Sequence, residues 1–159
     1  MNKRLIYWQN VWDDSRESKI MLSDSKNTLP TWAVRQVENC PQIFLEGFKM
    51  FRILDGSGFE GMGCEYVVLE PGKVLEPHIH EKSHSIILVI RGEGFAFVDG
   101  RRYVLKENSV INVPPGIKHG LEAGNVELVV YGFQHPGIIN DQNDADIYFV
   151  EDGRKGLVG

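Results

Sequence analysis

The sequence predicts an all-β barrel domain preceded by an irregular N-terminal arm, and three observations carry that prediction. Short β-rich runs follow one another from residue 64 to residue 133, each bounded by a turn signal. An Asp99-Gly100 pair sits between two of them, a strong signal for a two-residue hairpin, because glycine accepts the positive φ that such a turn demands. No strand-like run is followed by a long helical pattern, which removes the doubly wound parallel folds.

Length and composition set the frame for these elements. A chain of 159 residues suits one domain with a sizeable core, and 42% hydrophobic with 10% aromatic residues is not the composition of a disordered protein. The formal net charge is −5, with lysines and arginines scattered and not interleaved with aromatics, so nucleic acid is excluded as the expected partner. The start MNKRLIYWQNVWDD turns polar and acidic where a secretory leader needs an apolar stretch. No run reaches the length of a bilayer span, so a cytoplasmic protein without a membrane partner is expected. Cys40 and Cys64 lie far apart and form no C-x-x-C pair. They are read as free thiols with a packing role.

Residues 1–60 form the arm, polar and without a persistent 3.6-residue stripe. Trp8, Trp12 and Trp32 stand in it among Ser, Asp and Asn. They imply that the arm covers something apolar, either the barrel or a partner subunit. Residues 61–151 form the barrel, with runs CEYVVLE at 64–70, SIILVI at 85–90, GFAFV at 94–98, RYVL at 102–105, SVINV at 109–113 and VELVVYGF at 126–133. One more strand is expected at 145–150, and residues 152–159 form a tail. The exposed edges of such short strands predict a homodimer.

The histidines carry the chemistry. There are five, and three fall in EPHIHEKSH as His78, His80 and His84. Residues two apart on a strand share a face, so His78 and His80 present two imidazoles to one ion. A turn at Glu81-Lys82-Ser83 returns His84 beside them, and His119 enters after the Pro114-Pro115-Gly116 turn. A set of neutral imidazoles suits one divalent transition metal: Fe, Zn, Ni, Co, Cu or Mn, with Mn the least favoured. The fifth histidine, His135, is read as a chance placement at a strand end.

The larger spacing, Gly72-x5-His78-x-His80-x3-His84, then Gly92, then Pro114-x-Gly116-x2-His119, resembles the two motifs of the cupin superfamily. The resemblance covers about residues 64–133 and implies a double-stranded β-helix, or jelly-roll, barrel. It implies His78, His80 and His119 as metal ligands and Gly72, Gly92, Pro114 and Gly116 as turn residues. Two positions depart from it. Where the family places a glutamate ligand, counting forward from His80 reaches His84, and counting back from Gly92 reaches Ser85. Alternation allows only one of the two to face the ion. His84 is the expected fourth ligand, and a three-histidine site with open positions is the alternative. Asn108 and Ala123 replace a glycine and an asparagine of the second motif, and Asn108 tolerates the left-handed backbone that glycine favours.

A site without a carboxylate ligand keeps the full +2 charge of its ion, which points to a small, anionic substrate. Two enzymatic readings follow: oxygen activation at iron by a dioxygenase, which is preferred, and Lewis-acid isomerase, epimerase, decarboxylase or lyase chemistry. A non-catalytic binding or sensing module is the alternative. Enolisation needs a base within reach. Glu65 and Tyr66 are the candidate catalytic residues, of which only one can face inward, while Glu76, Glu81 and Glu122 are weaker candidates.

Overall fold

The computed structural model describes residues 34, 36–55, 61–139 and 144–156. The tryptophans Trp8, Trp12 and Trp32, and most of the arm, lie outside the described residues. Among the described residues, a 3-10 turn, Val37–Asn39, leads into eleven strands. These are β1 (Gln42–Leu45), β2 (Phe48–Asp55), β3 (Gly63–Leu69), β4 (Val74–Ile79), β5 (His84–Arg91), β6 (Gly94–Val98), β7 (Arg101–Leu105), β8 (Val110–Val113), β9 (His119–Ala123), β10 (Leu128–His135) and β11 (Tyr148–Phe149).

They form two sheets, one ordered β1-β2-β3-β10-β5-β8 and the other β11-β4-β9-β6-β7. Every strand pairing among the described residues is antiparallel. The result is an all-β, two-sheet jelly roll. The six β-rich runs of the sequence became β3, β5, β6, β7, β8 and β10. The reading of residues 1–60 as irregular is corrected over 42–55. There β1 and β2 fold back on one another and β2 pairs with β3. The alternation that marks β2 is short, with Phe48 and Met50 buried around an exposed Lys49. The strand expected at 145–150 shortens to β11, preceded by a single bridge between Ala145 and Ile139.

The turns follow the sequence chemistry. Asp99 and Gly100 both take positive φ, 49° and 75°, as the β6–β7 hairpin requires. Asn108 sits at φ 67°, so it supplies the left-handed backbone for which the motif usually employs glycine. Gly92 ends β5 at φ 87°, and a Cβ there would lie 1.9 Å from the Glu127 carbonyl oxygen. No other residue fits that approach.

Inward side chains from both sheets make the core. Met50, Leu69, Val89 and Leu128 come from the six-stranded sheet, and Ala96, Leu121 and Phe149 from the five-stranded one. Cys40 and Cys64 are both buried. Burial pushes the Cys64 thiol up to about 12, which keeps it protonated and unreactive.

Candidate metal centre

The centre is built where β4 meets β9. The β4 register breaks between Leu75 and His78, and it resumes with His78 directly opposite His119. Gly120 permits this contact, because a Cβ on it would lie 2.8 Å from the Leu75 carbonyl oxygen and 3.2 Å from Pro77. His80, two residues beyond His78, projects to the same side. All three imidazoles are buried, and their ligand nitrogens lie within 4.8 Å of one another. Ring centroids are 4.4 Å apart for His78 and His119, and 5.0 Å apart for each of the other two pairs.

Each ring is held by a backbone carbonyl. Nδ1 of His78 bonds the Glu76 oxygen at 2.8 Å, and Nδ1 of His119 bonds the Ile117 oxygen at 3.0 Å. Nδ1 of His80 bonds the Asp146 oxygen. A carbonyl only accepts, so each Nδ1 carries the proton and Nε2 is left with a lone pair. Burial first, then the neighbouring rings, push His78 down to about 3. Burial likewise carries His119 down to about 4 and lowers His80. The three are therefore neutral at physiological pH, the state in which imidazole binds a metal. Three converging neutral nitrogens in a buried pocket fit one divalent transition ion.

His84 does not join them. In β5 the buried positions are Ser85, Ile87 and Val89, which turns His84 to the exposed outer face. There its Nε2 lies 2.6 Å from Oδ1 of Asn112. The expectation of a fourth histidine ligand is corrected, and Ser85 occupies the inward position. The run SIILVI is apolar on both faces, so its pattern gave no parity. The count back from Gly92 was the informative signal.

The opposite wall of the cavity belongs to the six-stranded sheet. Glu65, Ser85 and Gln134 line it on three neighbouring strands, β3, β5 and β10. Ser85 pairs in register with Gln134, and Glu65 with Gly132. Burial raises the Glu65 carboxyl to about 8, against the pull of its cross-strand neighbour Arg52 and of a Gln134 hydrogen bond. Oε2 of Glu65, Oγ of Ser85 and Oε1 of Gln134 are buried and have no hydrogen-bond partner within the described protein. An unsatisfied buried polar group costs on the order of 1–3 kcal/mol. Between the walls lies a cavity of about 60 Å³. That is room for a handful of water-sized groups, at roughly 10–15 Å³ each. Its remaining lining includes Met50, Val67, Leu121, Val130, Ile138 and Ile147.

The other sequence candidates fall outside it. Alternation turns Tyr66 to the outer face of β3, where it packs edge-on against Tyr131 at 5.1 Å and Phe51 at 6.0 Å. Its catalytic reading is corrected for that reason. Glu76 is exposed and pairs with Arg154, Glu122 pairs with Arg102, and Glu81 is exposed. His135 is exposed on the outer face, beside His84 in register.

Asp146 had no signature in the sequence, yet it ties the site together. Its backbone oxygen holds His80. Its carboxylate accepts from the N–H groups of Glu81, Lys82 and Ser83, each at 2.9 Å, and from the Ser83 hydroxyl at 3.0 Å. Burial would raise this carboxyl, but those donors outweigh it and hold the group below its usual range. One residue thus fixes the turn after His80 and the ring itself, across more than sixty positions of sequence, a contact that no local pattern announces.

Comparison with known proteins agrees with this fold. Residues 65–131 match the family model described as "Cupin domain". Germin-like protein 1-2 of Oryza sativa subsp. japonica is 31% identical over 88 residues, which is 50% of this chain and 39% of that protein. Quercetin 2,3-dioxygenase of Bacillus subtilis (strain 168) is 29% identical over 92 residues, 55% of this chain and 27% of that one. The chain therefore spans well under half the length of either curated relative. Among solved structures, a cupin-like protein from Thermotoga maritima superposes with a TM-score of 0.51 at 29% identity, covering 57% of this chain and 71% of that one. Among the described residues, no helix is long and apolar enough to cross a membrane.

Proposed function

We propose that this chain, a member of the cupin superfamily, is a divalent-metal enzyme of the dioxygenase type that acts on a small organic molecule between its two sheets. The observation that carries this reading is the convergence of three neutral, buried imidazoles on a mostly apolar cavity. His78, His80 and His119 hold the ion, and iron is the preferred metal. The likeness to a quercetin 2,3-dioxygenase over about half the chain supports the reaction class. The finer picture is a closed double-stranded β-helix barrel in a cytoplasmic homodimer, with the N-terminal arm covering the barrel or the partner.

When bound, the ion supplies Lewis acidity and, as iron, electron exchange with dioxygen. The protein's own residues do the rest. Backbone carbonyls fix the three rings, so the donor set is preorganised. The apolar lining restricts water. Glu65, with its carboxyl near 8, is placed to hold or accept a proton at Oε2 close to neutral pH. Gln134 keeps that carboxyl oriented.

The presence of Glu65 in the cavity also favours a second reading. Lewis-acid isomerisation or lyase chemistry needs a base, and Glu65 is one. The two separate in a single experiment: protein loaded anaerobically with Fe(II), or with Zn(II), is screened against small hydroxy and keto acids and diols. Dioxygen uptake and substrate C–H exchange in D2O are followed together. Uptake confined to the iron form supports the dioxygenase. Exchange without uptake, in both forms and abolished by E65Q, replaces it with the Lewis-acid enzyme. Neither signal from any loaded form overturns the enzymatic proposal and leaves the binding module.

A further inference from the structure

We propose that Glu65, Ser85 and Gln134 form a recognition subsite for the hydroxyl groups of a small neutral diol, which binds with its other end toward the histidines. The proposal rests on the reading of the histidines as the metal site and adds the class of molecule that the facing wall selects.

Three side chains that are 94% or more buried line the cavity, and each carries a buried oxygen with no hydrogen-bond partner among the described residues. The Gln134 amide oxygen can only accept. The Ser85 hydroxyl donates and accepts, and Glu65 does either according to its proton. A carboxylate or fully ionised phosphate brings lone pairs alone, and would set them against the Gln134 oxygen and, whenever it is ionised, against Glu65. An ammonium group would meet a site whose one carboxyl already has Arg52 beside it, with a divalent ion across the cavity. A hydroxyl donates and accepts, so it satisfies all three oxygens in either protonation state of Glu65. The three residues stand on adjacent strands, roughly 5 Å apart in the pairing direction. One hydroxyl cannot span them, and two neighbouring hydroxyls can. The anionic group that the sequence suggested then has its place only at the histidine side.

Gly132 belongs to the same device. A Cβ there would lie 2.6 Å from Nε2 of Gln134, so the missing side chain is what lets the amide lie along β10 beside Glu65. Gly132 does not adopt a left-handed backbone, and the atom it would meet is the end of a flexible side chain. G132A therefore displaces Gln134 without straining the sheet.

The test uses cis-1,2-cyclohexanediol as probe, with its dimethyl ether, cyclohexanecarboxylate and cyclohexylammonium as competitors. Binding is read by ligand-observed NMR on metal-free and zinc-loaded protein, with zinc content and Tm measured on the same samples. The diol is expected to bind at least tenfold tighter than each competitor. S85A, Q134L and G132A should each weaken it about tenfold, the effect of one hydrogen bond to a buried group, with zinc content close to wild type. Tm should stay close to wild type in S85A and fall by a few degrees in Q134L and G132A, which withdraw the Gln134 amide from the buried Glu65 carboxyl. Equal binding of the ether or the carboxylate, no binding of the diol, or diol binding that all three variants leave untouched overturns the subsite. Loss of the diol with zinc retained sinks the subsite alone. Loss of zinc with diol selectivity retained sinks the metal reading alone and leaves the subsite standing.

Discussion

The two walls of the cavity solve the problem of buried polar groups in opposite ways. On the five-stranded sheet, His78, His80 and His119 each give Nδ1 to a backbone carbonyl. On the six-stranded sheet, Glu65, Ser85 and Gln134 keep an oxygen without a hydrogen-bond partner among the described residues. Both walls arise from strands whose alternate side chains must face inward. The difference lies in where the backbone is free to bend. The broken register of β4 turns the Glu76 carbonyl toward His78, and the irregular backbone at Ile117 and Asp146 supplies the carbonyls for His119 and His80, whereas β10 and β3 run in unbroken register across Glu65 and Gln134. A wall whose groups are held by the backbone presents a fixed donor set to an ion. A wall whose oxygens are left over depends on what enters the cavity.

Substitution of a histidine should break the first wall most severely. H78A or H119A is expected to lower metal affinity by more than a hundredfold, read as metal per chain after dialysis against a weak chelator. Unchanged occupancy in both would remove the ion from this wall. Next in size is the support behind His80. D146A removes four hydrogen bonds from the turn that follows the ligand. Metal affinity should fall about tenfold or more, in the manner of groups that orient ligands. Tm should fall by roughly 2–10 °C, from about 1–3 kcal/mol in a chain of this size. D146N, which keeps an oxygen acceptor, should recover part of both.

The walls also carry opposite pH signatures in the metal-free protein. The histidines are pushed below 6.5, so between about 4 and 6.5 the unfolded chain takes up protons that the folded one refuses. Their contribution to stability is therefore lost as pH falls through that window. Glu65 is raised from 4.5 to about 8, so the folded chain keeps a proton that the unfolded one releases. Its contribution is lost as pH rises from about 4.5 to 8. Urea titrations across pH should show E65Q abolishing the fall in stability between about pH 6.5 and 8, where H119A changes nothing. Between about 4.5 and 6.5 the two windows overlap with opposite sign, so there E65Q steepens the rise of stability with pH and H119A flattens it; a change in the same direction from both variants would contradict the assignment. The smallest effect belongs to H84A. On the outer face it should leave metal content unchanged and shift stability by no more than about 0.5 kcal/mol.

Much of this was legible before the fold. Local chemistry announced itself: the Asp99-Gly100 hairpin, the H-x-H pair that shares a face, and the glycine-like Asn108. What remained hidden depends on parity or on distance along the chain. Ile86, Ile87, Leu88 and Val89 are apolar whichever way β5 faces, so His84 and Ser85 were not separable by pattern. Glu65 and Tyr66 posed the same choice, settled by the burial of Val67 and Leu69 on the Glu65 side. Asp146 reaches His80 from the far end of the chain, and its neighbours Ala145 and Ile147 carry no motif. The β1–β2 hairpin was masked by the polar arm around it.

Whether His78, His80 and His119 hold a metal is read by inductively coupled plasma mass spectrometry of freshly purified, untagged protein. Wild type and H84A should carry close to one transition-metal ion per chain, and H119A a small fraction of that. Less than about a tenth of an ion per wild-type chain, with loading by iron, zinc, nickel, cobalt, copper and manganese also failing, would contradict the metal site.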